Sequence, residues 1–390
     1  MKTLVIGLGQ AGGKIADSFL ADDRKSPVPH TFECIAVNSA LSDLAGLIQI
    51  PQEDRIVIGE TVVKGHGVGA DNKLGADIAE DEVDVILNRI SKVGVADFDA
   101  FLLVAGLGGG TGSGVIPVLS KHLKQVYDEP VYALGILPAE NEGDIYTLNA
   151  ARSLKTLLPN ADAVILVDNG TFLRGGESVR EAYARINKEI VKRMGIVARA
   201  GEVRGRKAVA EMVVDTSEII NTMRTGGICS IGYASERVTV RKKGFLSKLL
   251  SIFLGGGKKE NIGKASRILS VVKRATKGRL LMPCDYRSAN KALIVLAGPP
   301  SELDRKGIEK SRQWLEQNIT GAEVRGGDYP LPKSGYVGCV VLLAGISNAP
   351  RVRVLLERAK IVQEKVAEEP IGVKNIESLL SDIDKLGGKK

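Results

Sequence analysis

Three clusters of small residues stand at corners between apolar and amphipathic runs: "GLGQAGGKI" at 7–15, "KGHGVGADN" at 64–72 and "GLGGGTGSG" at 106–114. Glycine raises the entropy cost of ordering a chain, so clusters this dense must admit something that other residues would exclude. Where a strand ends and a helix begins, the first backbone N–H groups lack helical partners and carry the positive end of the helix dipole. At Gly108, Gly109, Gly110 and Gly112 no side chain would keep an oxyanion from those donors, and Thr111 and Ser113 add hydroxyls. The chemistry this predicts is phosphate binding.

The first corner has two further readings. Gly7, Gly9 and Gly12 satisfy G-x-G-x-x-G, the fingerprint of a dinucleotide fold and hence of an NAD(P)-dependent oxidoreductase. Asn38 stands near the end of the second apolar run, where that fold places an acidic residue. A magnesium-binding P-loop is excluded by spelling: Lys14 follows Gly13, but position 8 is Leu and Ile15 replaces the required Ser or Thr. Each corner alone reads as a tight turn. Three of them on one sheet predict several loops around one polyphosphate, with Asp71 either a helix cap or a carboxylate near a metal. A second candidate group, Asp215 and Glu218 in "MVVDTSEIINTM", has the spacing of a capping box opening a helix.

The elements that position these residues follow from periodicity. Apolar runs at 3–7, 33–37, 55–59, 101–106, 131–136 and 163–167 predict strands, and patterns at 11–20, 76–91, 113–126, 144–157 and 178–198 predict helices. Such alternation makes an α/β fold with a parallel sheet covered on both faces, whose ligands sit beyond the C-terminal strand ends. Pro117 falls early in its helix. The long pattern from 178 connects to a smaller α/β domain, with strands at 227–234, 291–298 and 336–346 and helices at 262–275, 302–318 and 351–368.

Composition narrows the function classes. No apolar run reaches the roughly 18 residues of a membrane span, and the N-terminus has no signal-peptide pattern. Four scattered cysteines and three scattered histidines argue against zinc and for reduced thiols, hence a cytoplasmic protein. The net charge of +8 is concentrated: residues 236–279 carry thirteen Lys or Arg against two Glu, while the rest of the chain sums to −3. Without aromatic residues placed for stacking or a groove-reading motif, no specific nucleic acid is expected. The basic 241–264 segment reads as a solvated or partner-contacting loop, with an amphipathic helix on anionic lipid at the inner membrane face as the alternative.

"GGGTGSG" at 108–114 resembles the signature loop of the tubulin/FtsZ superfamily, and "GQAGGKI" at 9–15 is similar to its first nucleotide loop. The likeness continues through "PAENEGDIYTLNAARSL", "VDN", "YARIN" and "VVDTSEIINTM" and is nearest to the archaeal CetZ group. It implies a GTPase that polymerises head to tail into protofilaments, with cell-shape control as its expected task. The family pattern places GTP or GDP against Gly9, Gln10, Ala11, Gly12, Gly13, Asn38, Gly69, Ala70, Asp71, Gly108, Gly109, Gly110, Thr111, Gly112, Ser113, Glu142, Asn169 and Asn187, with Mg2+ near Asp71 and Gln10. It also makes Asp215 and Glu218 catalytic, acting on nucleotide held by the adjoining subunit.

By the same resemblance, 1–176 is a GTP-binding domain, 177–211 a central helix and connection, 212–350 an activation domain, and 351–390 a C-terminal helix with a short tail. Tyr146 stands where the cell-division branch of the family typically has Arg, and Asn72 where the family's third loop commonly has Pro. Two alternatives stand beside the GTPase: the oxidoreductase, and a nucleotide-binding polymer that does not hydrolyse.

Overall fold

The apolar runs of the first half fold into strands with almost no exposed face. A computed structural model of the chain describes residues 1–173, 176–202, 212, 214–238 and 257–368. Most of the connection at 203–211, the basic residues 241–256 and the tail beyond 368 therefore lie outside the described residues. The first half runs β1 (Thr3–Leu8), α1 (Gly9–Asp23), β2 (Phe32–Asn38), α2 (Leu41–Ala45), β3 (Arg55–Val57), α3 (Glu60–Val63), α4 (Asn72–Asp81) and α5 (Val83–Val93). It continues with β4 (Ala100–Gly106), α6 (Thr111–Val126), β5 (Val131–Leu137), α7 (Asp144–Leu157), β6 (Ala163–Asp168), α8 (Asn169–Phe172) and the long α9 (Val179–Ala200). The second half comprises α10 (Thr216–Met223), β7 (Ile228–Arg237), α11 (Gly257–Gly278), β8 (Lys291–Gly298), α12 (Arg305–Glu316), β9 (Glu323–Pro330), β10 (Tyr336–Ala344) and α13 (Pro350–Glu368).

The strands form one sheet in the order β3-β2-β1-β4-β5-β6-β7-β10-β8-β9. β1 to β6 pair in parallel, and β7 joins β6 through only two residue pairs, Val164 with Ile228 and Ile165 with Cys229. Alternate residues feed two apolar layers: Leu4, Ile6 and Leu8 pack with Ile78, Ile86 and Val115 on one side, while Val5 packs with Phe19, Ile190 and Met194 on the other. The order reverses between β1 and β4, whose crossovers leave in opposite directions. That opens a crevice beyond their C-terminal ends.

Two local features depart from the expected periodicity. The single helix read over 76–91 is two, because Glu82 leaves helical geometry (φ −116°, ψ 17°) and its carboxylate accepts the Gly59 N–H at 3.0 Å. β9 gave no strand signal, since "EVRGGDYP" combines charges with two glycines and a proline. Those glycines have a use: a Cβ on Gly327 would stand 2.4 Å from the Met212 carbonyl oxygen. That carbonyl accepts the Asp328 N–H at 2.8 Å, and the Met212 N–H donates to the Asp328 carboxylate at 3.2 Å. The chain leading to Asp215 is thus clamped across β9.

Pro117 lies inside α6, where its missing N–H would strand the carbonyl four residues earlier. That carbonyl, on Ser113, instead accepts the buried Ser153 hydroxyl of α7 at 2.8 Å. Ser153→Ala should therefore lower the unfolding free energy by about 1–3 kcal/mol, measured by urea titration. An unchanged midpoint would show that the carbonyl does not depend on Ser153.

Candidate functional site

The corners after β1 and β4 meet. Gly9 has φ +67°, and a Cβ there would lie 2.8 Å from the Gly112 nitrogen; one on Gly112 would lie 2.7 Å from the Leu8 carbonyl oxygen. The first turns of α1 and α6 therefore abut, and neither helix has a side-chain cap on its N-terminal amides. By contrast, α4, α9 and α10 are capped by Asp71, Ser178 and Asp215. Two uncapped, positively polarised helix ends in contact make a strong site for an anion.

They open into a cavity of about 390 Å³. Of the residues expected to hold nucleotide, Gly9, Gln10, Ala11, Asn38, Gly69, Ala70, Gly108, Gly109, Gly110, Thr111, Gly112, Glu142, Asn169 and Asn187 line it. Gly12, Gly13, Asp71 and Ser113 stand off its wall. Gly12 packs so closely on the Val104 carbonyl oxygen that a Cβ would stand 2.0 Å from it, and Gly13 faces Leu47. The Ser113 hydroxyl turns back to the carbonyls of Gly109 and Gly110. Asp71 caps α4, its Oδ1 accepting the Lys73 and Leu74 amides at 3.0 Å. Besides Glu142, the cavity wall carries the carboxylate of Asp43, which accepts from the side-chain amides of Gln10 at 2.8 Å and Asn38 at 3.1 Å.

The loops are tied to one another by two contacts absent from the sequence reading. The Asn149 side-chain amide donates to the carbonyls of Ala70, Gly108 and Gly109 at 2.7, 3.1 and 3.3 Å. The Ser39 and Thr111 hydroxyls share a buried 2.7 Å hydrogen bond. The only sequence hint at the first is a polar Asn on the buried face of α7, which it shares with Thr147 and Ser153. Ile136, Pro138, Tyr183 and Ile186 add apolar surface to the lining, which also includes Asn169 and Asn187. Burial raises the Tyr183 phenol above its ordinary value, and the nearby Glu142 carboxylate adds to this. The lining thus combines helix-start amides suited to oxyanions with apolar and amide side chains suited to a flat ring with polar edges.

Asp215 and Glu218 do not line this cavity. Asp215 is exposed and Glu218 half-buried at the start of α10. They form a reciprocal capping box: the Glu218 N–H donates to Asp215 at 2.9 Å and the Asp215 N–H to Glu218 at 3.3 Å. The Ser217 hydroxyl, donating at 2.6 Å, and the Glu218 amide hold the Asp215 carboxyl below its ordinary range. Both acids are thereby fixed on one exposed turn.

With this geometry in place, comparison with known proteins is informative. Residues 2–176 match the GTPase domain of the tubulin/FtsZ family, and residues 176–361 match the C-terminal domain of tubulin-like CetZ proteins. The tubulin-like protein CetZ1 of Haloferax volcanii is 50% identical over 374 residues, which cover 94% of each chain. Among solved structures, a GDP-bound CetZ1 monomer from Haloferax volcanii superposes with a TM-score of 0.81 at 47% identity, covering 93% of this chain and all of that one. A GTPγS-bound protofilament of CetZ2 from the same organism gives 0.83 at 40% identity, covering 94% of this chain and all of that one.

Asn149→Ala should loosen both loops together, making amide exchange at 68–71 and 108–112 roughly tenfold faster, the equivalent of about one hydrogen bond. Unchanged exchange would show that Asn149 does not pin them. Ser217→Ala should raise the Asp215 titration midpoint toward the ordinary carboxylate value in carbon-detected NMR. A lowered folded-state value stabilises above the unfolded pKa and is lost as pH falls through the folded one. On acidification, α10 should therefore fray at a higher pH in the variant.

Proposed function

The chain belongs to the CetZ group of the tubulin/FtsZ family, and from that premise we propose that it binds GTP in the cavity between β1 and β4, assembles head to tail into protofilaments, and hydrolyses GTP at the subunit junction. The observation that carries this reading is the contact between the uncapped starts of α1 and α6 at Gly9 and Gly112. The triphosphate lies along those amides, roofed by Gly69 and Ala70, while the base occupies the end near Tyr183 and Asn187. A dinucleotide oxidoreductase would leave the second uncapped helix without a purpose, and Asn38 is engaged with Asp43.

No group of three or more metal-ligating acids, histidines or cysteines occurs among the described residues. The residues present nonetheless fit Mg2+, which keeps several waters and takes phosphate oxygens with one or two carboxylates. Gln10 and Asp43 are the side chains that would hold it, directly or through water, and it would neutralise charge on the phosphates. This reading moves the carboxylate from Asp71 to Asp43.

Catalysis falls to Asp215 and Glu218 of the next subunit in the filament. Held by mutual hydrogen bonds on a rigid turn, they position and polarise the attacking water beside the terminal phosphate. One subunit supplies phosphate donors and its neighbour the carboxylates, so hydrolysis follows assembly. A head-to-tail junction of this type does not close on itself and grows open filaments. We assign the filament to control of cell shape in the cytoplasm. The basic 241–264 segment is our candidate for lateral filament contacts or an anionic membrane surface, though most of it lies outside the described residues. No helix among the described residues is long and apolar enough to cross a membrane.

Asp215→Asn and Glu218→Gln preserve the cap's hydrogen-bonding geometry while removing charge. Each should bind GTP and assemble, by light scattering, as the unaltered chain does. Phosphate release should fall by roughly 10²–10⁴-fold. In the unaltered chain, release should rise more than linearly with protein concentration. Equal specific activity in dilute monomer would overturn catalysis across the junction.

A further inference from the structure

α9 borders a second cavity on a different face from Tyr183, Ile186 and Asn187. It measures about 230 Å³ and is lined by Thr171 and Phe172 of α8, by Arg185, Glu189 and Arg193 of α9, and by 278–280 after α11. Three guanidinium groups border this small space. Arg185 is engaged: its Nε and Nη2 donate to Glu177 at 3.0 and 2.5 Å, and Nη2 also reaches the Phe172 carbonyl. Arg193 is not. It is 3% exposed, its Nη2 lies 3.3 Å from Glu189, and its Nε and Nη1 have no hydrogen-bond partner. Arg279 forms the exposed rim.

A buried cation with vacant donors is costly unless something accepts from them. Burial pushes the Arg193 guanidinium down to about 10 despite the opposing pull of Glu189 and Tyr233, and the positive charge of Arg279 adds a smaller push in the same direction. The Phe172 ring, 5.4 Å from the guanidinium carbon, offers a face but no lone pair. Glu189 is half-exposed and already paired, so it leaves the other edge of Arg193 unanswered. The volume decides the size of the missing partner. Pockets that enclose drug-sized molecules run to about 300–1,000 Å³, so this one suits an ion.

We propose that this cavity is an anion site for one phosphate-sized oxyanion, held from inside by the vacant N–H groups of Arg193 and at the rim by Arg279. It is separate from the nucleotide cavity, with which it shares α8 and α9 but no lining residue. A dianion there would answer the buried charge of Arg193 and draw Arg279 inward, joining α9 to the turn after α11.

The test is equilibrium dialysis of the full chain, saturated with GDP, against radiolabelled inorganic phosphate at low ionic strength. One saturable phosphate per chain is expected beyond the GDP. Arg279→Ala, at an exposed position, should weaken it roughly tenfold, in line with a charge-assisted hydrogen bond. Arg193→Met should abolish it. In phosphate-free buffer Arg193→Met should melt at the same temperature as the unaltered chain or higher, because an apolar isostere replaces a buried charge that Glu189 compensates on one edge only. It should also lose the rise in Tm that phosphate gives the unaltered chain. Lys273→Ala, in the neighbouring basic groove on α11, should leave phosphate binding intact. The proposal is overturned by absence of saturable binding, or by binding that survives Arg279→Ala and depends on Lys273. Should Arg193→Met not fold, the Arg279 and Lys273 variants still decide the question.

Discussion

Two helix N-termini pressed together at Gly9 and Gly112 set the terms for the rest of this structure. Each end carries about half a positive charge, and neither is neutralised by its own cap. Like poles at backbone contact are unfavourable without a counter-charge between them. The sheet order forces them there, because β1 and β4 are neighbours whose helices leave on opposite faces. Asn149 and the Ser39–Thr111 hydroxyl pair then hold the surrounding loops in place. The empty-handed amides are a consequence of topology, and an anion is what topology leaves room for.

Much of this was legible in the residues. The runs at 291–298 and 144–157 became a strand and a helix with those bounds, because their periodicities had no competing turn signals. The resemblance to the tubulin/FtsZ family fixed the order of elements beyond what periodicity gives. What escaped was long-range. Asn149 is one polar residue in a helix, and its partners lie about forty and eighty positions earlier. Asp43 carries no motif, yet it reaches the cavity because α2 follows β2 directly. Asp71 satisfied the spelling of both a cap and a ligand, and proximity to its own amides gave it the first role. β9 was invisible because its glycines serve a crossing chain, a tertiary demand that strand propensity does not encode.

On the proposed mechanism, the acids of α10 make stability and chemistry share atoms. A capping box needs two side chains with lone pairs, held at a helix start and turned outward. A water-activating pair shared between molecules needs the same exposure and rigidity, with negative charge added. The Ser217 hydroxyl and Glu218 amide keep Asp215 ionised, so what secures the helix also keeps the carboxylate in its basic form. The Met212–Asp328 clamp fixes this turn relative to the sheet.

That clamp bears on a hazard every filament former faces. An open β-sheet ends in rows of unsatisfied backbone groups that invite indiscriminate pairing with other copies. Here one border is β3, only three residues long, and the other is β9, whose Asp328 amide is already taken by Met212. Both margins are blunted, so lateral strand exchange into amyloid-like stacks is discouraged, as the axial assembly we propose requires.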